Sequence, residues 1–280
     1  MKKALLLSFS LLCVLIMHAS IIHVPSDYSS IQEAFSAATN GDTIVLANGT
    51  YTENLTVSNK SVVITSQFMF SKNESDIDQT IWLSAAEANS PDYTIEASGP
   101  RTNQLTLLGI TFKNNPTTAL YFSGYTFIAS HLKLLNNMGG ALSIWDGDAI
   151  IKHSLFEGNA RSDNGGAVDI QLSNEDRTVV IDSCQFKSNT SVSYGGGLKG
   201  SVYKSSLTVS NSIFTSNTAY KGGAIAISPG TNAYVTIKNN LIVENSAQQE
   251  GGGIHMSGRS SRITNNTIVN KSAHTAWSKP

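Results

Sequence analysis

The 280-residue sequence predicts an all-β chain, a right-handed parallel β-helix solenoid with a short N-terminal capping helix. Three observations predict it. A hydrophobe-x-x-Asn segment followed by a Gly-Gly pair recurs through the second half of the chain. A second hydrophobic column runs five residues ahead of the first. Each unit holds two or three short β-branched runs separated by turn residues, with no helix-length pattern.

The repeat is read most easily in four copies. Phe156 to Asn159 is followed by Gly165-Gly166-Ala167-Val168, and Phe186 to Asn189 by Gly195-Gly196-Gly197-Leu198. Phe214 to Asn217 is followed by Gly222-Gly223-Ala224-Ile225, and Ile242 to Asn245 by Gly251-Gly252-Gly253-Ile254. A weaker copy runs from Leu134 to Asn137 with Gly139-Gly140, and Phe112 to Asn115 leads the set without its glycines. The second column is Leu107, Ile151, Ile181, Val209, Ile237 and Ile263, with steps of 30, 28, 28 and 26 residues from Ile151 onward. Leucine-rich and helical repeats are disfavoured by the missing helix, and a coil of three short strands fits.

Stacking explains the residue choices. Coils lie ~4.8 Å apart with strands paired in parallel, so each position touches its own copy. Ile and Phe columns build a continuous core. Asn159, Asn189, Asn217 and Asn245 are expected to form a side-chain ladder, with the Asn in the left-handed turn conformation. Asn211, Asn239 and Asn265, in register with His153 and Ser183, are expected to form another. The Gly pairs serve where a Cβ would clash. The right hand follows from the chirality of parallel crossovers. From about residue 43 to 270 there is room for roughly nine coils, a rod about 45 Å long.

The N-terminal part divides into two. Lys2, Lys3 and the apolar run from Ala4 to Met17 read as a secretory signal peptide over residues 1–20, too short for a membrane span. The β-helix domain then covers 21–280. Ser30 and Glu33 fit a capping box, and Ile31, Ala34, Phe35 and Ala38 form one apolar helical face, so a helix is expected over about 30–38. Its task is to cover the open end of the stack. At the other end the sequence shows no capping helix, barrel or sorting segment, and a C-terminal end uncapped or truncated is the expectation.

Composition narrows the function classes. Charged residues make up 14% and the net charge is −1, so no electrostatic footprint for nucleic acid exists. Polarity comes from Asn, Ser, Thr and Gly, as suits a secreted or cell-surface protein. After signal cleavage a single cysteine, Cys184, remains, which excludes an intramolecular disulfide.

Two resemblances add to this. The stretch Tyr28 to Val57, with Ser30-Ile31-Gln32-Glu33-Ala34 and Gly49-Thr50-Tyr51-Thr52-Glu53, resembles the opening of pectin lyase-like β-helix proteins, pectin methylesterases among them. It implies the fold only, because the catalytic motifs of the esterases have no counterpart here. The Phe-x-x-Asn…Gly-Gly-Ala-Ile pattern between Leu134 and Ile254 resembles the repeat of chlamydial polymorphic outer membrane proteins. That resemblance implies a surface-exposed, adhesive passenger of the bacterial outer membrane; the C-terminal barrel usual in that family has no counterpart.

Two functional readings follow. In the first the chain is an adhesin-like binding scaffold without catalysis, with no cofactor, taking extracellular glycans or the proteins of a neighbouring surface. In the second it is a carbohydrate-active enzyme, a polysaccharide lyase or glycoside hydrolase, for which calcium is a possible cofactor. The enzyme reading needs outward residues. If Val168, Leu198, Ile225 and Ile254 point inward, then Asp169, Lys199, Ala226 and His255 point outward on successive rungs. The plain reading of Asp169 and Lys199 is an exposed ion pair, and of His255 a surface histidine. Asp146 and Asp148 are two acids, too few for a good calcium site. His153 fits a turn, and Trp82, Trp145 and Trp277 fall in different coils. The glycine runs lack the Lys-Ser/Thr and the helix of a phosphate loop.

Overall fold

The computed structural model describes residues 19–273 apart from 86–92, 175, 259–260 and 270–271. Most of the expected signal segment, and Trp277, lie outside the described residues. Among the described residues, four parallel sheets run along one axis. Sheet A has ten strands, from Ile21–Val24 to Ser261–Thr264, and sheet B nine, from Gly49–Thr52 to Thr267–Val269. Sheet C has eight, from Leu55–Val57 to Ile254–Met256. Sheet D has five short strands, from Ala160–Arg161 to Ser272–Ala273. Each coil passes from A to B to C, and the longer later coils insert a strand of D between B and C. The expected parallel stack is met.

The hydrophobic columns fall in register. In sheet A, Leu107, Ala129, Ile151, Ile181, Val209, Ile237 and Ile263 pair in succession. In sheet B, Phe112, Leu134, Phe156, Phe186, Phe214, Ile242 and Ile268 do the same. The rings of Phe156, Phe186 and Phe214 are parallel, with centroids 4.7 and 4.4 Å apart. Both columns are fully buried over most of their length and form one continuous core.

Beside the Phe column runs the Asn ladder, longer than expected, from Asn115 through Asn137 to Asn245. Each side-chain amide donates to the Oδ1 of the Asn one coil on, at 2.8–2.9 Å. Asn217 shows the complete pattern. Its Nδ2 donates to Asn245 Oδ1 and to the Phe186 carbonyl, while its Oδ1 accepts the backbone N–H and the Nδ2 of Asn189. All four hydrogen-bonding positions of a fully buried amide are therefore used. The ladder residues are not in the left-handed conformation. That geometry belongs to the residue before each: Asn114, Asn136, Gly158, Ser188, Ser216 and Glu244 have φ between 54° and 67°.

The second ladder is also displaced by one residue. His131, His153, Ser183, Asn211, Asn239 and Asn265 are the left-handed turn residues. The buried, bonding side chains are those that follow. The N–H of Leu132 donates to Ser154 Oγ, that of Cys184 to Ser212 Oγ, and that of Ser212 to Asn240 Oδ1. Asn240 completes the column by donating to Asn266 Oδ1. The glycine pairs act as expected: Gly166 has no room for a Cβ, which would sit 2.3 Å from the Gly196 carbonyl oxygen, and Gly165 has φ +67°.

Helix α1 (Ile31–Ala37) buries Ile31, Ala34 and Phe35 against the first coils, as a cap requires. The capping box is only half formed. Ser30 Oγ accepts the Glu33 N–H, but the Glu33 carboxylate takes the Ser29 hydroxyl. The N–H groups of Ile31 and Gln32 go instead to the Glu53 carboxylate, both at 3.0 Å. Two features were not legible in the periodicity. Ile21–Val24 adds a strand to sheet A ahead of the helix. Helices α2 (Phe68–Ser71) and α3 (Glu74–Gln79) replace a turn between sheets A and B, anchored by buried Phe68 and Ile77.

Asn217→Ala leaves two buried donors of Asn189 without an acceptor, at about 1–3 kcal/mol each. Asn232→Gly, at an exposed left-handed turn, is expected to change stability by no more than about 0.5 kcal/mol. Urea melts of the two variants check the contrast, and equal midpoints would contradict the ladder.

Candidate functional site

The outer face of sheet C carries the chemistry-bearing residues. Alternation along each strand puts two outward columns there. The first contains Glu96, Tyr121, Ser143, Asp169, Lys199, Ala226 and His255, in register on successive rungs. The expected row of Asp169, Lys199, Ala226 and His255 is thus present. The second contains Ser98, Ser123, Trp145, Gln171, Ser201 and Ser228. The strands and turns of sheet D wall one side.

Asp169 and Lys199 meet, with Nζ 3.3 Å from Oδ1. The expectation of an exposed pair is wrong: the Asp169 side chain is 3% exposed and that of Lys199 12%. Gln171 Nε2 donates to Asp169 Oδ2 at 3.2 Å. Oδ1 accepts no hydrogen bond, because Lys199 lies within ion-pair distance but out of line. One rung before, Arg161 Nη1 donates to Ser143 Oγ at 2.8 Å and its Nε lies 2.9 Å from Asp163 Oδ1. The pair thus sits between the Ser143 and Ala226 rungs, with Gln171 beside it.

His255 does not join it. Ala226 separates it from Lys199, and two rungs are ~10 Å. Its Nδ1 lies 3.4 Å from Glu250 Oε2, and Glu250 also holds Lys221 at 3.1 Å. Burial sets the His255 pKa below the ordinary histidine value; Glu250 opposes the shift and Lys221 adds to it.

The remaining sequence candidates have structural posts. Asp146 accepts the N–H groups of Ser173 and Asn174, and Asp148 pairs with Arg101 and accepts the Thr178 N–H. Among the described residues, no group of three or more His, Cys, Asp or Glu is placed to hold a metal ion. Cys184 fills the second ladder, its thiol pushed up to about 12 by burial. His153 packs on His131 with the rings tilted by 35° and centroids 5.1 Å apart, and His131 in turn packs on Phe68. Burial, then His153, lowers the His131 pKa, against Glu74 and with Lys72. Trp82 is buried, donating from Nε1 to the Glu53 carbonyl, whereas Trp145 is 42% exposed.

Sequence reasoning missed the aromatic group at the N-terminal end of the face. Tyr93 stacks on Tyr121 at 4.5 Å, and Tyr121 meets Trp145 at 6.5 Å and 44°. It also missed Gln171 and the serine column. Continuing the alternation two residues past Asp169 leads to them. Arg161 and Glu250 sit on sheet D, which the three-strand coil did not include.

The sequence from residue 95 to 271 matches the family model described as "Right handed beta helix region". The chain belongs to this right-handed β-helix family. The rice weevil pectin methyl esterase has a similar structure, with 15% identity and a TM-score of 0.46, over 90% of this chain and 88% of that one. A variant of the PL6 family alginate lyase AlyGC gives 14% identity and a TM-score of 0.35, over 93% of this chain and 50% of the lyase. At these values the likeness says nothing of chemistry. No curated protein matches the sequence.

Two predictions concern this region. Asp169→Ala strands a mostly buried ammonium and is expected to cost about 3–5 kcal/mol in urea denaturation, whereas Asp169→Leu with Lys199→Met recovers most of the loss. His131 and His255 have folded pKa values below the unfolded one, so the unfolded chain binds protons first as pH falls. Stability therefore declines between about pH 7 and pH 5, and His131→Gln with His255→Gln flattens that slope in pH-dependent melts.

Proposed function

We propose that this β-helix is a non-catalytic binding scaffold, secreted or held at a cell surface, with the outer face of sheet C as its contact surface. One observation carries the reading: among the described residues, the acid of the two outward columns that is ion-paired with a base, Asp169, is 2% exposed and tied to Lys199 and Gln171. A general acid or base must come within hydrogen-bond reach of the substrate proton. A carboxylate sealed under its own ion pair does not. The charge-poor surface and the repeat's resemblance to chlamydial passenger proteins support the same reading, with glycans or surface proteins as partners.

The second reading, a polysaccharide lyase or hydrolase using Asp169, Lys199 and His255, draws on the bond-free Asp169 Oδ1. It requires Lys199 to swing out and His255 to act across the Ala226 gap.

The purified protein is expected to cleave no member of a panel of neutral and uronate polysaccharides, with or without calcium, as followed by reducing ends and by absorbance of unsaturated products. Cleavage that vanishes in Asp169→Asn, in a variant whose circular dichroism shows it still folded at the assay temperature, would establish the enzyme reading instead. EDTA is expected to leave the melting temperature unchanged, since Asp146 and Asp148 are occupied by protein partners.

A further inference from the structure

The contact surface has a chemical bias. Among the described residues, the basic groups on and beside the face of sheet C are Arg161, Lys199, Lys221 and His255. Each lies within 3.4 Å of a carboxylate: Asp163, Asp169 or Glu250. Lys199 is committed most firmly, because turning it toward a ligand leaves the buried Asp169 alone, which is strongly unfavourable. A polyanion laid on this face therefore finds no cation free of a protein partner.

The second column is uncharged from rung to rung: Ser98, Ser123, Trp145, Gln171, Ser201 and Ser228. It continues to Ser257, whose hydroxyl donates to Ser228 Oγ at 3.0 Å. Ser228 and Ser257 are exposed. These groups donate and accept in equal measure, as sugar hydroxyls do. Their spacing of ~4.8 Å is close to one pyranose ring along a chain. Tyr93 and Tyr121 cover each other's faces, but Trp145 tilts away from Tyr121 at 44° and is 42% exposed. An apolar ring face beside a row of hydroxyls and an amide is the pairing that a sugar ring satisfies, with C–H groups on the indole and hydroxyls on the column.

We propose that the face of sheet C binds a neutral glycan chain, laid along the helix axis with one sugar ring on Trp145. This rests on the scaffold reading above and names its ligand class. An acidic protein surface would instead be expected to use the face's basic groups, and these are already paired internally.

The experiment is calorimetric titration of the whole chain with cello-, manno- and laminari-oligosaccharides and with oligogalacturonate and oligoalginate, each at low and high sodium chloride. At least one neutral series is expected to bind, with an affinity unchanged by salt. Trp145→Ala is expected to weaken it about tenfold or more, and Lys221→Gln to leave it unchanged. Trp145 is exposed, so unchanged circular dichroism and melting temperature confirm that the variant is folded. Preference for a uronate series, or affinity falling with salt, overturns the neutral-glycan assignment and leaves the scaffold standing. Binding that survives Trp145→Ala overturns the site. If no glycan of either kind binds but a protein ligand does, the scaffold holds and the glycan fails. Turnover of any of these chains, seen as cleavage in the calorimeter cell products, removes the scaffold reading itself.

Discussion

The fold depends on one constraint, that each residue is stacked on its own counterpart one coil away. At a corner the backbone leaves one sheet before entering the next, and its polar groups lose their sheet partners. The buried Asn ladder supplies them. One side chain per coil accepts the N–H of the coil before, bonds the next amide and closes on a carbonyl, so no hydrogen-bonding position of the ladder amide is idle. The Phe column beside it is apolar and stacked with nearly parallel rings. The pair explains why Phe-x-x-Asn is the most regular part of the sequence.

The second corner shows how far the requirement relaxes. Its slot holds Leu132, Ser154, Cys184, Ser212, Asn240 and Asn266 in turn. From Ser154 onward each offers an acceptor or a small side chain, and only the last two build a full amide ladder. Cys184 fits as a small, protonated donor, with Sγ 3.3 Å from the Asp182 carbonyl. Its burial makes it a packing element.

Legibility in the sequence follows the same logic. Positions that repeat because they stack were readable: the Phe and Ile columns, the Asn series, the glycine pairs and the outward row from Asp169 to His255. The left-handed residue was placed one position late, because Asn is both a good left-handed residue and a good ladder residue and the pattern alone does not separate the two. The backbone places Gly158, Ser188 and Glu244 in the strained geometry, and these vary since only φ is selected there. Helices α2 and α3 occur once, and a feature without copies leaves no period. The burial of Asp169 was hidden for a related reason. It depends on neighbours from other rungs, Ser143 and Lys199 among them, and no single strand's alternation reveals it.

Stacking also governs the charges. Outward residues on adjacent rungs sit ~4.8 Å apart, so a column of like charge is repulsive and a column of opposite charge is not. Lys152 pairs in register with Asp182 on sheet A, Glu157 with Lys187 on sheet B, and Asp169 with Lys199 on sheet C. The Glu157–Lys187 pair is 37% and 55% exposed and contributes little in water. The same geometry on sheet C is only 3% and 12% exposed, and there desolvation makes each partner depend on the other. A pair that is ordinary by register becomes, by burial alone, a fixed neutral element in the middle of the face, and the serines, Gln171 and Trp145 beside it are left as the groups that meet a ligand.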